Sequence, residues 1–114
     1  MKIDIQGTRL DLTPSVRQYA EEKIGTLERF LRRFEKEGER TVFVELARST
    51  RHHKSGDVFY AEATLELPGT ILRAEHKDED IRSAIDRIRD ILKNNIASYK
   101  NEATNRTQRR TRNK

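Results

Sequence analysis

Residues 57–76 read DVFYAEATLELPGTILRAEH, and this stretch decides the fold. Up to Leu67 it alternates. Phe59, Ala61, Ala63, Leu65 and Leu67 share one side, and Tyr60, Glu62, Thr64 and Glu66 share the other. A period of two is that of a half-buried strand. Pro68-Gly69 is a turn signal, and Ile71 to His76 resumes as a short strand with Leu72 and Ala74 inward. Two such strands across a tight turn form a hairpin with one apolar face to cover.

Working upstream, TVFVELAR (residues 41–48) places Val42, Val44 and Leu46 on one side, so a third strand precedes the hairpin. The polar, basic connection from Ser49 to Gly56 reads as a flexible hairpin loop. Near the N-terminus Ile3 and Ile5 alternate with Lys2, Asp4 and Gln6, a strand that Gly7 is expected to end. Between these strands lies a helix. Thr13 supplies an N-cap oxygen and Pro14 suits the first helical position. Val16, Tyr19, Ala20, Ile24, Leu27, Phe30, Leu31 and Phe34 then recur at helical steps, which predicts one helix to about Lys36, stopping near Gly38. Gly25, inside it, is expected to cost about 1 kcal/mol relative to Ala. Its one apparent use is close packing on the sheet.

Downstream, Asp78, Glu79 and Asp80 suit the positive end of a helix dipole. Ile81, Ala84, Ile85, Ile88, Ile91, Leu92, Ile96 and Tyr99 form the apolar face of a second helix. Beyond Lys100 this pattern stops, so residues 1–100 read as one domain and 101–114 as a basic, disordered tail. The order is β-α-β-β-β-α. A single right-handed crossover makes the first strand parallel to the second, and the rest is an antiparallel meander. Two helices on one face of a four-stranded mixed sheet is the economical two-layer α+β solution.

Composition narrows the function classes. The 114 residues are 33% hydrophobic and 38% charged, enough for one compact core. The absence of cysteine excludes disulfides and thiolate metal sites. No apolar run approaches the roughly 18–20 residues of a membrane span, and the N-terminus lacks a secretory h-region, so a soluble, cytoplasmic chain is expected. The net charge of +5 is local. Residues 100–114 hold six Lys or Arg and one acid, whereas residues 1–99 balance. A basic tail can hold a polyanion or simply keep the chain soluble.

On the second helix Arg82, Arg89, Lys93 and Lys100 are spaced 7, 4 and 7 apart. At about 100° per residue they fall in a strip roughly 40° wide beside an apolar arc of roughly 140°. Asp86 sits beside this strip, where pairing with Arg82 or Arg89 is expected. Such a rail, continued by Arg106, Arg109, Arg110 and Arg112, suits a phosphate backbone; it also suits an ordinary solvated flank. On the first helix, Lys23, Arg29 and Arg33 line one flank, interleaved with Glu22 on the same side. Lys23 falls within the apolar arc, either snorkelling at the sheet edge or facing a groove between the helices.

The remaining candidates carry less chemistry. His52 and His53 supply at most two metal ligands beside the repelling Arg51 and Lys54, so no metal and no cofactor are expected. His76, at a strand end, reads as structural. No nucleophile elbow, phosphate loop, HExxH or EF-hand pattern occurs, so neither an enzyme nor a small-molecule substrate is expected.

The segments LTPSVRQYAEEKIGTLERF (12–30) and ATLELPGTILRAEHKDEDIRSAID (63–86) resemble the ribosome hibernation promoting factor and ribosome-associated translation inhibitor family. The most specific parts are the strand–Pro-Gly–strand ending Leu72-Arg73-Ala74-Glu75, then Glu79-Asp80-Ile81 and Ala84-Ile85-Asp86. The resemblance spans roughly residues 1–100. It implies the same β-α-β-β-β-α fold, which contains the helix–strand order of double-stranded-RNA-binding domains. It further implies binding of the small ribosomal subunit and its ribosomal RNA in the channel used by messenger and transfer RNA, repressing translation by occlusion. Long members append a dimerising domain, and this chain resembles a short form, expected to be a monomer when free.

The second helix departs from the family pattern. Bases expected at Ile91, Asn94, Ala97 and Ser98 are absent, while Arg82, Arg89, Lys93 and the tail carry charge instead. The expected RNA contacts are therefore Lys23, Arg29, Arg82, Arg89, Lys93, Lys100, Arg109 and Arg110. A general structured-RNA module is one alternative. The other is a protein-interaction regulator using the outward sheet face, where Phe43, Val58, Tyr60 and Ile71 fall.

Overall fold

The computed structural model describes the backbone of residues 1–49 and 58–112, and side chains over 1–35, 38–49 and 58–102. Four strands, β1 (Lys2–Thr8), β2 (Thr41–Ser49), β3 (Val58–Leu67) and β4 (Thr70–Asp78), form one sheet in sequence order. β1 runs parallel to β2, and the other neighbours are antiparallel. This is the expected mixed sheet. Gly7 does not end β1, because it stays in register opposite Leu46. A Cβ at Gly7 would stand 2.8 Å from the Leu10 carbonyl oxygen, so the returning chain needs this residue bare.

The inward positions are those the alternation assigns. Val42, Val44, Leu46, Ala61, Ala63, Leu65, Leu67 and Ala74 are buried with Ile5, and the helices cover them from one side with Ala20, Ile24, Leu27, Leu31, Ala84, Ile85, Ile88, Leu92 and Ile96. Small alanines on β3 and β4 let the last helix approach closely; it packs on both strands. Among the described residues no polar or charged residue is buried in this core.

The first helix differs from expectation. It starts as read, with the Thr13 hydroxyl accepting from the Val16 N–H at 3.2 Å and Pro14 at the first turn. It then divides into α1 (Pro14–Gly25), a single turn α2 (Glu28–Leu31) and a 3-10 segment (Arg32–Glu37). The break is local chemistry. The Thr26 hydroxyl donates to the Lys23 carbonyl at 2.6 Å, and the Thr26 and Leu27 N–H groups take three-residue bonds to Lys23 and Ile24. A side chain that bonds the preceding turn competes with the helical ladder.

The last helix, α3 (Ile81–Arg112), corrects the expectation in the other direction. It continues twelve residues past Lys100, through the stretch read as a disordered tail. The apolar stripe ends near Tyr99, but neither Gly nor Pro follows it, and a nucleated helix propagates without a core-facing stripe. Clustered bases near its C-terminus also suit the helix dipole. The loop read between Ser49 and Gly56, with Arg51, His52, His53 and Lys54, lies outside the described residues. No helix among those described is long and apolar enough to cross a membrane.

Candidate nucleic-acid interface

Helix α3 is aimed by its start. The Asp80 carboxylate accepts from the Ser83 N–H at 3.3 Å and its hydroxyl at 2.9 Å, a cap that fixes the first turn. Ala84, Ile85, Ile88 and Leu92 then lock the helix onto the sheet, and the rail comes to lie along the groove between α3 and the segmented first helix.

The rail residues bridge this groove. Arg82 donates from Nη2 to the Ser15 hydroxyl at 2.7 Å, with its guanidinium 5.4 Å from the Tyr19 ring centre. Arg89 donates from Nε to Thr26 Oγ1 at 3.0 Å and from Nη1 to Asp90 at 2.6 Å. The Thr26 hydroxyl that donates to Lys23 at the break thus also accepts from Arg89 across the groove. Lys93 lies 5.6 Å from the Phe30 ring centre, and Lys100 lies 5.7 Å from Phe30 and 6.0 Å from Phe34.

From the opposite wall, Lys23 stands 5.7 Å from the Tyr19 ring centre, Arg29 4.7 Å from Phe30 and Arg33 5.0 Å from Phe34. Tyr99 closes the far end, edge-on to Phe34 at 5.3 Å, and its hydroxyl donates to the Pro68 carbonyl at 2.7 Å. Half-buried aromatic rings thus form a floor under cations from both walls. A cation over an aromatic face is attracted by the ring quadrupole, and this steadies long side chains that would otherwise sample many rotamers. The strip from Arg82 to Lys100 is roughly 27 Å long at 1.5 Å per helical residue.

Two carboxylates interrupt the positive charge. Asp86 does not take the expected arginine partners: its Oδ1 accepts from the Tyr19 hydroxyl at 2.7 Å and lies 3.8 Å from Lys23 Nζ, while Arg82 bonds Ser15 and Arg89 pairs with Asp90. The hydrogen bond to Asp86, with some burial, holds the Tyr19 phenol above its ordinary pKa, so it remains a donor. Burial and the neighbouring Arg33 charge lower the Lys100 pKa. The cations at that end repel one another, and among the described residues no acidic partner offsets the repulsion.

Six of the expected contacts, Lys23, Arg29, Arg82, Arg89, Lys93 and Lys100, are brought into one groove. Lys23 is there as a wall residue rather than at the sheet edge. Arg109 and Arg110 stand on the extension of α3, and their side chains lie outside the described region. Tyr19, Phe30 and Phe34 are absent from the expected contacts, because helical periodicity marks them as core. A signal existed: Arg29-Phe30 and Arg33-Phe34 are adjacent pairs, and Lys23 follows Tyr19 by one helical turn.

The opposite sheet face is polar. In register across three strands stand Glu45, Glu62 and Glu75. The Tyr60 hydroxyl lies 2.8 Å from Glu62 and 2.7 Å from Glu75, and Arg73 Nε donates to Glu62 at 2.8 Å. Burial first, and then these carboxylates, raise the Tyr60 pKa, while the Tyr60 and Arg73 donors lower that of Glu62. Phe43 and Ile71 are exposed here but stand in different rows, Phe43 beside Thr64 and Arg73, Ile71 beside Glu66. They do not form a continuous apolar patch.

Comparison with known proteins agrees with this architecture. Residues 3–104 match the family described as Sigma 54 modulation protein / S30EA ribosomal protein. A ribosome hibernation promotion factor of Staphylococcus aureus (strain COL) is 29% identical over 96% of this chain and 54% of its own length. A ribosome hibernation promoting factor of Azotobacter vinelandii is 32% identical over 95% of this chain and 91% of its own. The chain thus spans about half of the staphylococcal relative and most of the Azotobacter one. The crystal structure of the Thermus thermophilus Protein Y N-terminal domain superposes with a TM-score of 0.64 at 28% identity, covering 87% of this chain and 99% of that one. With its sheet order, helix placement and match over residues 3–104, the chain belongs to the Sigma 54 modulation protein / S30EA ribosomal protein family.

Proposed function

We propose that this protein is a cytoplasmic ribosome hibernation factor that binds the small ribosomal subunit and represses translation by occupying the messenger and transfer RNA channel. It acts by occupancy and not by catalysis, and is a monomer when free. The observation that carries the reading is the interhelical groove, where cations from two walls rest on one aromatic floor. Such a strip suits ribosomal RNA phosphates: it is net positive, partly preordered and about as long as several nucleotides. Lys23, Arg29, Arg82, Arg89, Lys93 and Lys100 are the phosphate contacts, and the basic stretch 101–114, with Arg109 and Arg110, lengthens them. The names of the staphylococcal and Azotobacter relatives support the ribosomal target.

Two alternatives make different predictions. A general structured-RNA module would bind bulk RNA as tightly as subunits. A protein partner on the sheet face is disfavoured because Phe43 and Ile71 stand in different rows and a glutamate row flanks Phe43 on its other side.

The test is co-sedimentation with separated small subunits, large subunits and whole ribosomes across a salt series, with transfer RNA as competitor. Saturable small-subunit binding displaced by transfer RNA is expected. The double variant R89E/K93E is expected to bind more weakly, with the salt slope reduced by about one for each phosphate it no longer neutralises. Unchanged affinity and slope in that variant would overturn the groove as the contact surface. Absence of small-subunit binding at low salt would overturn the function.

A further inference from the structure

The groove is not uniformly positive. Between Arg82 and Arg89, Lys23 is within 3.8 Å of Asp86, and Arg89 is paired with Asp90 at 2.6 Å, so this middle section is close to neutral. The end formed by Arg29, Arg33, Lys93 and Lys100 lies on Phe30 and Phe34, and none of these four has an acidic partner among the described residues there. Asp86 is 44% exposed at its side chain, so its charge faces whatever enters the groove. It is also held in place, because Tyr19 donates to it from the opposite wall at 2.7 Å.

A phosphate backbone running continuously along the strip would have to pass this fixed carboxylate. Like charges at contact distance repel, and the anchored side chain does not turn away readily. A folded RNA surface meets a different constraint. It can set one backbone segment on the Arg29–Lys100 end and another near Arg82. Between them it can offer Asp86 a hydrogen-bond donor, such as a ribose 2′-hydroxyl or a base amino group.

We infer that Asp86 is a specificity-determining residue that excludes continuous RNA backbone from the groove and selects folded RNA presenting two separated phosphate segments. This rests on the groove being the RNA-binding surface proposed above. It adds that discrimination resides in one acid rather than in the number of bases.

The test compares the full chain with D86N, D86S and D86E for binding to a 20-base-pair RNA duplex and to purified small subunits, at several salt concentrations. Asn retains an acceptor for Tyr19 and removes the charge, so the helices stay tied. D86N and D86S are expected to bind the duplex about fivefold more tightly, the factor for one contact repulsion in water. For the duplex, the slope of log affinity against log salt is expected to steepen by roughly 0.7–0.9, because Lys23, which Asp86 holds away from a continuous backbone in the parent, becomes free to bind its phosphates. The gain for small subunits is expected to be smaller, or a loss, so selectivity narrows. D86E retains the charge and is expected to behave as the parent. Y19F is the control, because it removes the tie and keeps the charge.

Duplex affinity unchanged in both D86N and D86S overturns the inference. Y19F lets Asp86 turn aside but keeps its charge, so a smaller gain than in D86N is expected; a gain as large overturns the inference, because removal of the charge would not be needed. The duplex arm does not involve the ribosome. A gain there without small-subunit binding by the parent would refute the ribosomal function and leave the charge filter standing.

Discussion

Replacing Phe30 with Leu would remove the ring on which three cations rest and leave every charge in place. The ring centre is 4.7 Å from Arg29, 5.6 Å from Lys93 and 5.7 Å from Lys100. Each such contact at an exposed site is worth about 0.5–1 kcal/mol. The three share one quadrupole and the cations repel one another, so their sum is less than additive. A stability loss of roughly 1–2 kcal/mol is expected, including the imperfect fit of Leu in the half-buried site. Binding responds separately. Ordering a long side chain at an interface costs about 0.5–1.5 kcal/mol, and the ring covers part of that cost in the free protein for three of them. Ribosome affinity is therefore expected to fall by roughly 5- to 30-fold, the factor for a loss of 1–2 kcal/mol. The salt slope is expected to stay constant, since the number of phosphates neutralised is unchanged. Chemical denaturation reads the first effect, and co-sedimentation across a salt series reads the second. Unchanged affinity would show that the cations are not preordered by the ring. A reduced slope would show that the ring decides which cations reach phosphate.

Two glycines give opposite expectations. A Cβ on Gly25 would meet only Ile3 Cδ1, at an ordinary 4.0 Å, so G25A is expected to stabilise by about 0.4–1 kcal/mol in denaturant melts. G7A would press on the Leu10 carbonyl at 2.8 Å and is expected to destabilise; a gain in stability there would contradict the close turn. On the sheet face, the Glu62 pKa is held below its ordinary 4.5 by the Tyr60 hydroxyl and Arg73. A depressed carboxyl stabilises the fold above its ordinary value, and that contribution fades as pH falls through the folded value. E62Q is therefore expected to lower the melting temperature at pH 7, with the gap to the parent closing below about pH 4.5; a gap independent of pH would refute this role.

What the sequence disclosed was what depends on local period. Alternation placed Val42, Ala61, Leu65 and Ala74 inward, Thr13-Pro14 placed the first helix start, and the 7-4-7 spacing placed four bases on one strip. The missed features depend on partners distant in the chain. Arg82 finds Ser15 and Arg89 finds Thr26, 67 and 63 residues away, and no local pattern pairs them. The break after Gly25 turns on one hydroxyl bonding to Lys23, whereas the apolar steps continue across it. The length of α3 was hidden because the end of an apolar stripe was equated with the end of a helix. Tyr19, Phe30 and Phe34 were assigned to the core because helical periodicity identifies apolar positions without showing which half of a ring remains wet.

Sheet and groove carry opposite signs, and this bears on how the protein meets a polyanion. Residues 1–99 balance overall, so long-range attraction from this part is weak. The balance is spatial. Asp4, Glu45, Glu62, Glu66 and Glu75 outnumber Lys2, Arg73 and Lys77 in the outward register of the sheet, whereas the groove gathers Lys23, Arg29, Arg33, Arg82, Arg89, Lys93 and Lys100 against two aspartates. Like charges directly across a sheet, as in the Glu45–Glu62–Glu75 row, are unfavourable for stability. Tyr60 and Arg73 offset that cost by donating into the row. A chain that tolerates a repulsive row on one face and stacks cations on the other has a fixed polarity. In the proposed RNA-binding role, the torque on that polarity favours the groove facing the RNA and the sheet facing away before any specific contact forms.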